Sequence, residues 1–273
     1  MRRVLIFLGL FLLAGGTLAH FPIVSGQPQQ QPQNPTQTQP SVAPQAPQTR
    51  PAQPPPGLRT IVLDPGHGGE DTGARGPTGV AERDIVLEFA QTIAGALRAE
   101  GFAVVVTRTG DADPSLDDRD SVANAQSNAI FISLHVGSAG TAGTVQTYTY
   151  LFPSAPPPAP ASSQGASAPG SEPAAPPPGF LPWGEAQKSF VPQSVKLGDL
   201  IQVELAQKFK GSSEVSAAAP VAVLRSAAVP AVAVEVSSVA GDQQKLEAMG
   251  ADLASSIARA VQAYKTIYPP GGE

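Results

Sequence analysis

Short apolar runs rich in valine and isoleucine alternate along this chain with longer segments in which apolar residues recur at helical spacing. Runs of this kind predict buried β-strands, because β-branched side chains pack well on a sheet and about four to eight residues suit a strand better than a helix. The predicted strands cover residues 59–63, 102–108, 129–134, 144–152, 221–224 and 231–235.

The longer segments predict four amphipathic helices. In residues 82–100, which end before Gly101, the apolar residues Ile85, Phe89, Ile93 and Leu97 fall on one face. The other predicted helices cover residues 116–127, 194–210 and 242–264. Strands that alternate with helices are typical of an α/β fold, so we expect one domain with a mostly parallel, twisted sheet and helices on both faces.

Two segments have a composition that cannot build a core. Residues 26–57 are mainly glutamine, proline, threonine and alanine, and residues 153–182 are mainly proline, alanine, serine and glycine. Ordering such segments costs chain entropy with little burial in return. We therefore expect a disordered linker at 26–57, a folded domain at 58–268 interrupted by a disordered insertion at 153–182, and a short tail at 269–273.

The first 25 residues have the pattern of an export segment. Two arginines precede a continuous apolar run, and Thr17-Leu-Ala19 provides the small residues of a cleavage site. The apolar run is somewhat short for a membrane-spanning helix, which needs about 20 residues, so a cleaved signal peptide is favoured over a retained anchor. In either case we expect the folded domain to be exported to the periplasm or cell envelope, tethered to the membrane if the segment is retained.

Charge and cysteine content exclude several classes of site. The net charge is −5 and the pI is near 5.2, which provides no basic surface for nucleic acid. The chain contains no cysteine, so disulfides, thiolate metal sites and a lipid-modified cysteine are excluded.

The remaining candidate chemistry begins with histidine. The chain has three histidines, and His20 belongs to the export segment. His67 follows the run at 59–63 in a glycine-rich turn, and His135 directly follows the run at 129–134. Ligands of open α/β sheets bind at the carboxyl edge of the strands, so the two histidines are expected to converge there, although either one alone could be an ordinary surface or buried residue.

Two glutamates are further candidates. Glu82 lies where a loop enters the first helix, where a carboxylate is usually only a partner of the helix dipole. Glu235 follows four small apolar residues at the end of a predicted strand, where it could simply face solvent. From residue type and position alone, each glutamate could be either a functional carboxylate or an ordinary charged residue.

Five separated motifs resemble, in order, the zinc-dependent N-acetylmuramoyl-L-alanine amidases, which cleave peptidoglycan. They are Asp64-Pro-Gly-His-Gly-Gly69, Gly79-x-x-Glu82, Arg119 with Ala123-Asn124, Phe131-Ile-Ser-Leu-His135 and Pro230-Ala-Val-Ala-Val-Glu235. The resemblance implies that His67, Glu82 and His135 bind Zn²⁺ and that Glu235 is the catalytic carboxylate. It also implies that Arg119 and Asn124 support the ligands or contact the substrate.

The implied reaction is amide hydrolysis in peptidoglycan. Three protein ligands on a four-coordinate zinc leave one position for a water, whose pKa the metal lowers to about 7. Glu235 would then act as general base. Some relatives carry, at the place of the 153–182 insertion, a helical segment that blocks the site until an activator protein removes it. This insertion lacks a helical pattern, so an inert loop is favoured and the existence of an activator is left open.

The residues that follow two of the motifs depart from the family pattern. Val136-Gly137-Ser138 follows His135, and Val236-Ser237-Ser238-Val239 follows Glu235. Two alternatives to the amidase therefore stay open, namely a weakly active or inactive peptidoglycan-binding module of the same fold, and a zinc peptidase with another amide substrate.

Overall fold

A computed structural model describes residues 57–153 and 182–268 of the chain. The predicted export segment, nearly all of the linker, most of the insertion and the C-terminal tail lie outside the described residues, so the predictions made for them are not addressed by the structure. None of the helices within the two described ranges combines the length and the hydrophobicity needed to cross a bilayer.

Within the described ranges, six strands form one sheet. They are β1 (Thr60–Pro65), β2 (Ala103–Val106), β3 (Ala129–Gly137), β4 (Val145–Tyr150), β5 (Ala217–Ala219) and β6 (Ala231–Ser237). Their order across the sheet is β2-β1-β3-β6-β4-β5, and all neighbours are parallel except β4 and β6. The predicted mostly parallel α/β domain is confirmed.

The α-helices of the described ranges are α1 (Glu82–Ala99), α2 (Leu116–Asn124), α3 (Val191–Lys208) and α4 (Gln243–Ile267). Helices α1, α3 and α4 cover one face of the sheet, where Ile61, Ile130 and Val232 join their apolar side chains in the larger core. The opposite face carries α2 and a smaller core around Phe131. Cavities lined by His67 and His135 lie at the carboxyl ends of the central strands.

The prediction of a strand at residues 221–224 was wrong. Ala222–Leu224 is a short 3₁₀ helix in which Val223 and Leu224 are buried. The period of a four-residue apolar run cannot distinguish a strand from a buried turn of helix, so the local pattern was ambiguous. The strand of this region is β5, whose three alanines carry no β-branched signal.

Element boundaries differ from the predictions by a few residues. Helix α3 begins at Val191 rather than 194, with a proline in its first turn, and it follows a 3₁₀ helix, Trp183–Phe190, that the sequence did not predict. Strands β3 and β6 both continue two residues beyond the predicted site residues. His135 and Glu235 therefore lie within their strands, where the backbone hydrogen bonds of the sheet hold them more rigidly than a loop would.

Candidate metal centre

The His67 loop leaves β1 through a sharply turned backbone. The φ angles of His67, Gly68 and Gly69 are 59°, 142° and 52°, all in the region that favours glycine. For His67 this conformation costs on the order of 1 kcal/mol or more, so other contacts must hold it. Its effect is to turn the imidazole back over the carboxyl end of the sheet.

Two buried arginines hold this loop by its backbone carbonyl groups. Arg119 donates to the carbonyl oxygens of Pro65 and His67, each at 2.9 Å. Arg108 donates to the carbonyl oxygens of Pro65 and Gly66, also at 2.9 Å. Arg119 thus supports the loop, and it also lines a cavity that contains His67 and His135. Arg108 is not among the candidate residues predicted from the sequence, because its position at the end of a strand run looks like that of an ordinary surface arginine.

Arg119 is itself fixed by a buried carboxylate. Its guanidinium lies 2.7 Å from Asp64 Oδ1, and both side chains are almost completely buried. Thr107 and Ser133 donate further hydrogen bonds to Asp64 at 2.6 and 2.7 Å. A buried ion pair of this kind tolerates little movement, because loss of either partner leaves an uncompensated charge.

Three side chains converge at the carboxyl edge of β1 and β3. Glu82, the first residue of α1, places Oε2 3.1 Å from His67 Nε2 and Oε1 2.9 Å from His135 Nδ1. One donor atom from each side chain lies within 4.8 Å of the other two. The structure therefore brings together the three residues that the sequence proposed as metal ligands.

The hydrogen bonds of this cluster shift the pKa values of two of its members. Burial would raise the pKa of the Glu82 carboxyl, but hydrogen bonds from His135, His67 and the backbone N–H groups of Ala74 and Val136 outweigh it and hold the pKa well below its usual range. The hydrogen bond to Glu82 raises the pKa of His67 to about 9 against the opposing effect of burial. Because metal ligands bind in their deprotonated form, binding of a divalent cation at this cluster would release the proton of His67.

Asp71, which is not among the candidate residues predicted from the sequence, orients the His67 ring. Its Oδ2 lies 2.7 Å from His67 Nδ1, while its Oδ1 accepts a hydrogen bond from the N–H of Gly73 at 3.0 Å. A carboxylate on Nδ1 fixes the tautomer that leaves Nε2 free for a metal. The sequence contains one signal for this contact, because Asp71 follows His67 by four residues within the same loop.

Two imidazoles and one carboxylate form a donor set that fits Zn²⁺. The close packing of Gly73 supports this fit, because a Cβ at that position would lie 2.6 Å from Cδ2 of His67. A side chain on Gly66 would likewise overlap the His135 ring. Glycines at both positions leave the imidazoles room to face a common point.

Glu235 lies beside this cluster and outside it. In the sheet it pairs directly with His135, so both side chains project from the same face of neighbouring strands. Glu235 and the three clustered residues line one open cavity of about 410 Å³, together with Tyr148 and the loop that begins at Gly137. The Glu235 carboxylate lies directly over Gly137, where a Cβ would collide with it.

Asn124 is located away from these side chains. Its amide nitrogen donates to the carbonyl oxygen of Ser226 at 3.0 Å, and its Oδ1 accepts from the N–H of Ala228 at 2.6 Å. Asn124 lines neither of the cavities that contain His67 and His135. It fastens the end of α2 to the connection that enters β6, so it supports the strand that carries Glu235 from a distance.

The known proteins that this chain resembles include N-acetylmuramoyl-L-alanine amidases. The family model for N-acetylmuramoyl-L-alanine amidase matches residues 61–263. The chain is 43% identical over 79 residues to the amidase AmiA of Escherichia coli, covering 29% of this chain and 27% of AmiA. It is 39% identical over 92 residues to a sporulation-specific N-acetylmuramoyl-L-alanine amidase of Bacillus subtilis, covering 33% of this chain and 35% of that protein. The aligned stretches thus span about a third or less of these relatives.

Solved amidase structures share the fold. An N-acetylmuramoyl-L-alanine amidase from Clostridium difficile superposes with a TM-score of 0.54 at 24% identity, covering 76% of this chain and 97% of that one. The CwlD amidase from Clostridioides difficile, solved in complex with the GerS lipoprotein, gives a TM-score of 0.56 at 19% identity and covers 77% and 99%. With the match of the family model over most of the folded domain, the chain belongs to the N-acetylmuramoyl-L-alanine amidase family.

Proposed function

We propose that this protein is a zinc-dependent hydrolase that cleaves the amide bond between N-acetylmuramic acid and L-alanine in peptidoglycan. The observation that carries the proposal is the convergence of His67, Glu82 and His135 in a cavity that also contains Glu235. Membership of the amidase family supports the choice of substrate.

His67, Glu82 and His135 would hold the metal. When bound, zinc supplies a Lewis acid that polarises a carbonyl oxygen and lowers the pKa of water towards neutrality. Glu235 has a different task, because it stays outside the cluster of ligands. Its carboxylate accepts the proton of the attacking water and delivers this proton to the departing nitrogen of L-alanine.

The test separates the base from the ligands. Glu235→Gln retains the shape of the side chain but cannot accept a proton, so zinc content is expected to stay at the wild-type level while the rate falls by about 10² to 10⁴. Glu82→Gln and His67→Ala are expected to contain less zinc than the wild-type protein, because each variant removes a metal ligand. Activity is measured as release of stem peptides from purified sacculi, with L-alanine identified as the new amino terminus. Glu88→Gln, an exposed change on α1, is the matched control.

The alternatives predict different results. Metal binding without peptide release in the wild-type protein would indicate an inactive binding module, and release of peptides with another amino terminus would indicate a different amide substrate. Full activity of Glu235→Gln, or loss of zinc in this variant with retention in Glu82→Gln, would require the roles of the two glutamates to be exchanged.

We also propose that the protein acts outside the cytoplasm, in the periplasm or cell envelope. The support is the charged, apolar and small-residue pattern of residues 1–19. Fractionation of cells that express the full chain, compared with a chain lacking residues 1–25, tests this proposal. Equal distribution of the two proteins between cytoplasm and envelope would refute it.

A further inference from the structure

Arg108 links the backbone segments beside two of the proposed metal ligands. Its Nη2 donates to the carbonyl oxygen of Gly66 at 2.9 Å and to that of Arg83 at 2.7 Å. Gly66 directly precedes His67 in the chain, and Arg83 directly follows Glu82. Under the proposed function, on which this inference rests, His67 and Glu82 both bind the metal. One nitrogen of a single guanidinium therefore joins the loop that carries His67 to the helix that carries Glu82.

The guanidinium is itself held in a fixed position. Its Nε donates to the carbonyl oxygen of Pro65 at 2.9 Å and its Nη1 to that of Gly110 at 2.8 Å, so that all three nitrogen atoms are engaged. Arg108 is almost completely buried, and every hydrogen bond that it makes to a described residue ends on a backbone carbonyl group. A planar group bound through all of its nitrogens cannot rotate or shift without breaking hydrogen bonds. Arg108 thus sets the distance between the two backbone segments that it joins.

This distance matters for a metal site because His67 and Glu82 belong to different elements. The loop after β1 carries His67 with a φ of 59°, and α1 begins at Glu82. A backbone in such a conformation persists only where its surroundings hold it. Metal ligands on separate elements must be held close to their final geometry, because any movement that binding requires lowers the affinity.

Other contacts join the later part of the same loop to α1. The Glu82 N–H donates to the carbonyl oxygen of Ala74 at 2.8 Å, and the Arg83 side chain donates to that of Gly69. Both acceptors lie after His67 in the chain, whereas the Gly66 carbonyl group bound by Arg108 lies before it. His67 is therefore linked to α1 on both sides, and Arg108 supplies the link on the side of the sheet.

Arg119 has a different task from Arg108. It also donates to carbonyl groups of the loop, but none of its hydrogen-bond or ion-pair partners among the described residues belongs to α1. Its buried partner Asp64 lies in β1, so Arg119 joins the loop to the sheet. We propose that Arg108 is a positioning residue of the metal centre, which sets the separation of His67 and Glu82 before the metal binds.

The first experiment measures the zinc affinity of the full-length protein in competition with a chromogenic chelator. Arg108→Lys retains the positive charge, but a single ammonium group lacks the planar fork that reaches carbonyl groups on separate elements at once. Its zinc affinity is expected to fall about 10- to 100-fold, the usual effect of losing a group that orients a ligand. Arg98→Lys is the matched control, because Arg98 is exposed and donates to one carbonyl group, that of Val104, at 3.3 Å. This control is expected to retain the wild-type affinity.

A double-mutant comparison shows through which ligand Arg108 acts. The effect of Arg108→Lys is measured again in a Glu82→Ala background and in a His135→Ala background, each of which lacks one ligand. With the Glu82 carboxylate removed, Arg108 has no pair of ligands to separate, so Arg108→Lys is expected to change the affinity less than about twofold. With His135 removed, His67 and Glu82 both remain, so the loss of about 10- to 100-fold is expected to persist. A substitution that merely weakened the fold would lower the affinity equally in both backgrounds.

The results separate three cases. A loss of affinity in Arg108→Lys that disappears in the Glu82→Ala background and persists in the His135→Ala background supports the positioning role. Wild-type affinity in Arg108→Lys, or an equal loss in the two backgrounds, overturns this role while the zinc dependence of the wild-type protein stands. If the wild-type protein binds no zinc, the proposed function fails and the role of Arg108 fails with it. Urea denaturation of the metal-free variants shows whether each is folded, and Arg108→Gln, which leaves no buried charge, replaces Arg108→Lys if the lysine variant is unfolded.

Discussion

Asp120 is predicted to make the stability of this protein depend on pH. It lies on α2 with 1% of its surface exposed, and its Oδ1 has no hydrogen-bond partner among the described residues. Burial, together with the negative charges of Asp64 and Asp117, raises its pKa from 3.8 to about 7, although a hydrogen bond from the Ser226 backbone opposes the rise. The ionised form is thus disfavoured in the native state.

The magnitude follows from the difference between the native and unfolded pKa values. About three pKa units at about 1.4 kcal/mol each correspond to ~4 kcal/mol. Because the native pKa is the higher one, the native state retains a proton that the unfolded state has lost between about pH 4 and pH 7. The contribution of protonated Asp120 to the free energy of unfolding is therefore fully present below about pH 4 and is lost as the pH rises to about 7. Above about pH 7 this contribution is absent.

Asp120→Asn removes this dependence, because asparagine has nearly the same shape and does not ionise. The assay is urea denaturation of both proteins from pH 4 to pH 8, with metal removed by a chelator so that the histidines titrate alike. The free energy of unfolding of the variant relative to wild type is expected to rise by about 4 kcal/mol across this range. Asp252→Asn, an exposed change on α4, is expected to show no such trend. A difference between Asp120→Asn and wild type that stays constant from pH 4 to pH 8 would refute the reasoning.

Two further substitutions address the metal centre. Asp71→Asn weakens the contact that orients His67, so zinc affinity is expected to fall about 10- to 100-fold, measured in competition with a chromogenic chelator. The control Asp111→Asn is expected to retain the wild-type affinity. Equal affinities of Asp71→Asn and wild type would mean that the Asp71 contact does not position His67. Gly137→Ala displaces the Glu235 carboxylate, so peptide release is expected to fall about 10²-fold at unchanged zinc content. The control Gly110→Ala, at a position with open space around it, is expected to keep full activity. Normal activity of Gly137→Ala would mean that Glu235 acts from a different position during catalysis.

The sequence by itself determined the class of fold and the candidate ligands. Apolar runs broken by glycine-rich turns required strands that end near His67 and His135, and helical spacing after Glu82 placed that carboxylate in a first turn. These signals are local, because the period of a segment and the residues that end it are written within about ten positions. For the same reason, a four-residue apolar run at 221–224 was not enough to reveal a 3₁₀ helix.

Only the tertiary structure decided which side chains meet. Glu82 contacts His135 across 53 positions of the chain, and Glu235 reaches its place beside His135 through the register of β3 and β6. The sequence pattern places Arg108 as an ordinary surface residue, whereas in the structure it is buried and donates to carbonyl groups of the His67 loop. Asn124, placed near the site by motif, instead fastens the approach to β6. Strand register and helix packing set such distances through contacts spread over the whole domain, and no local pattern in the sequence encodes them.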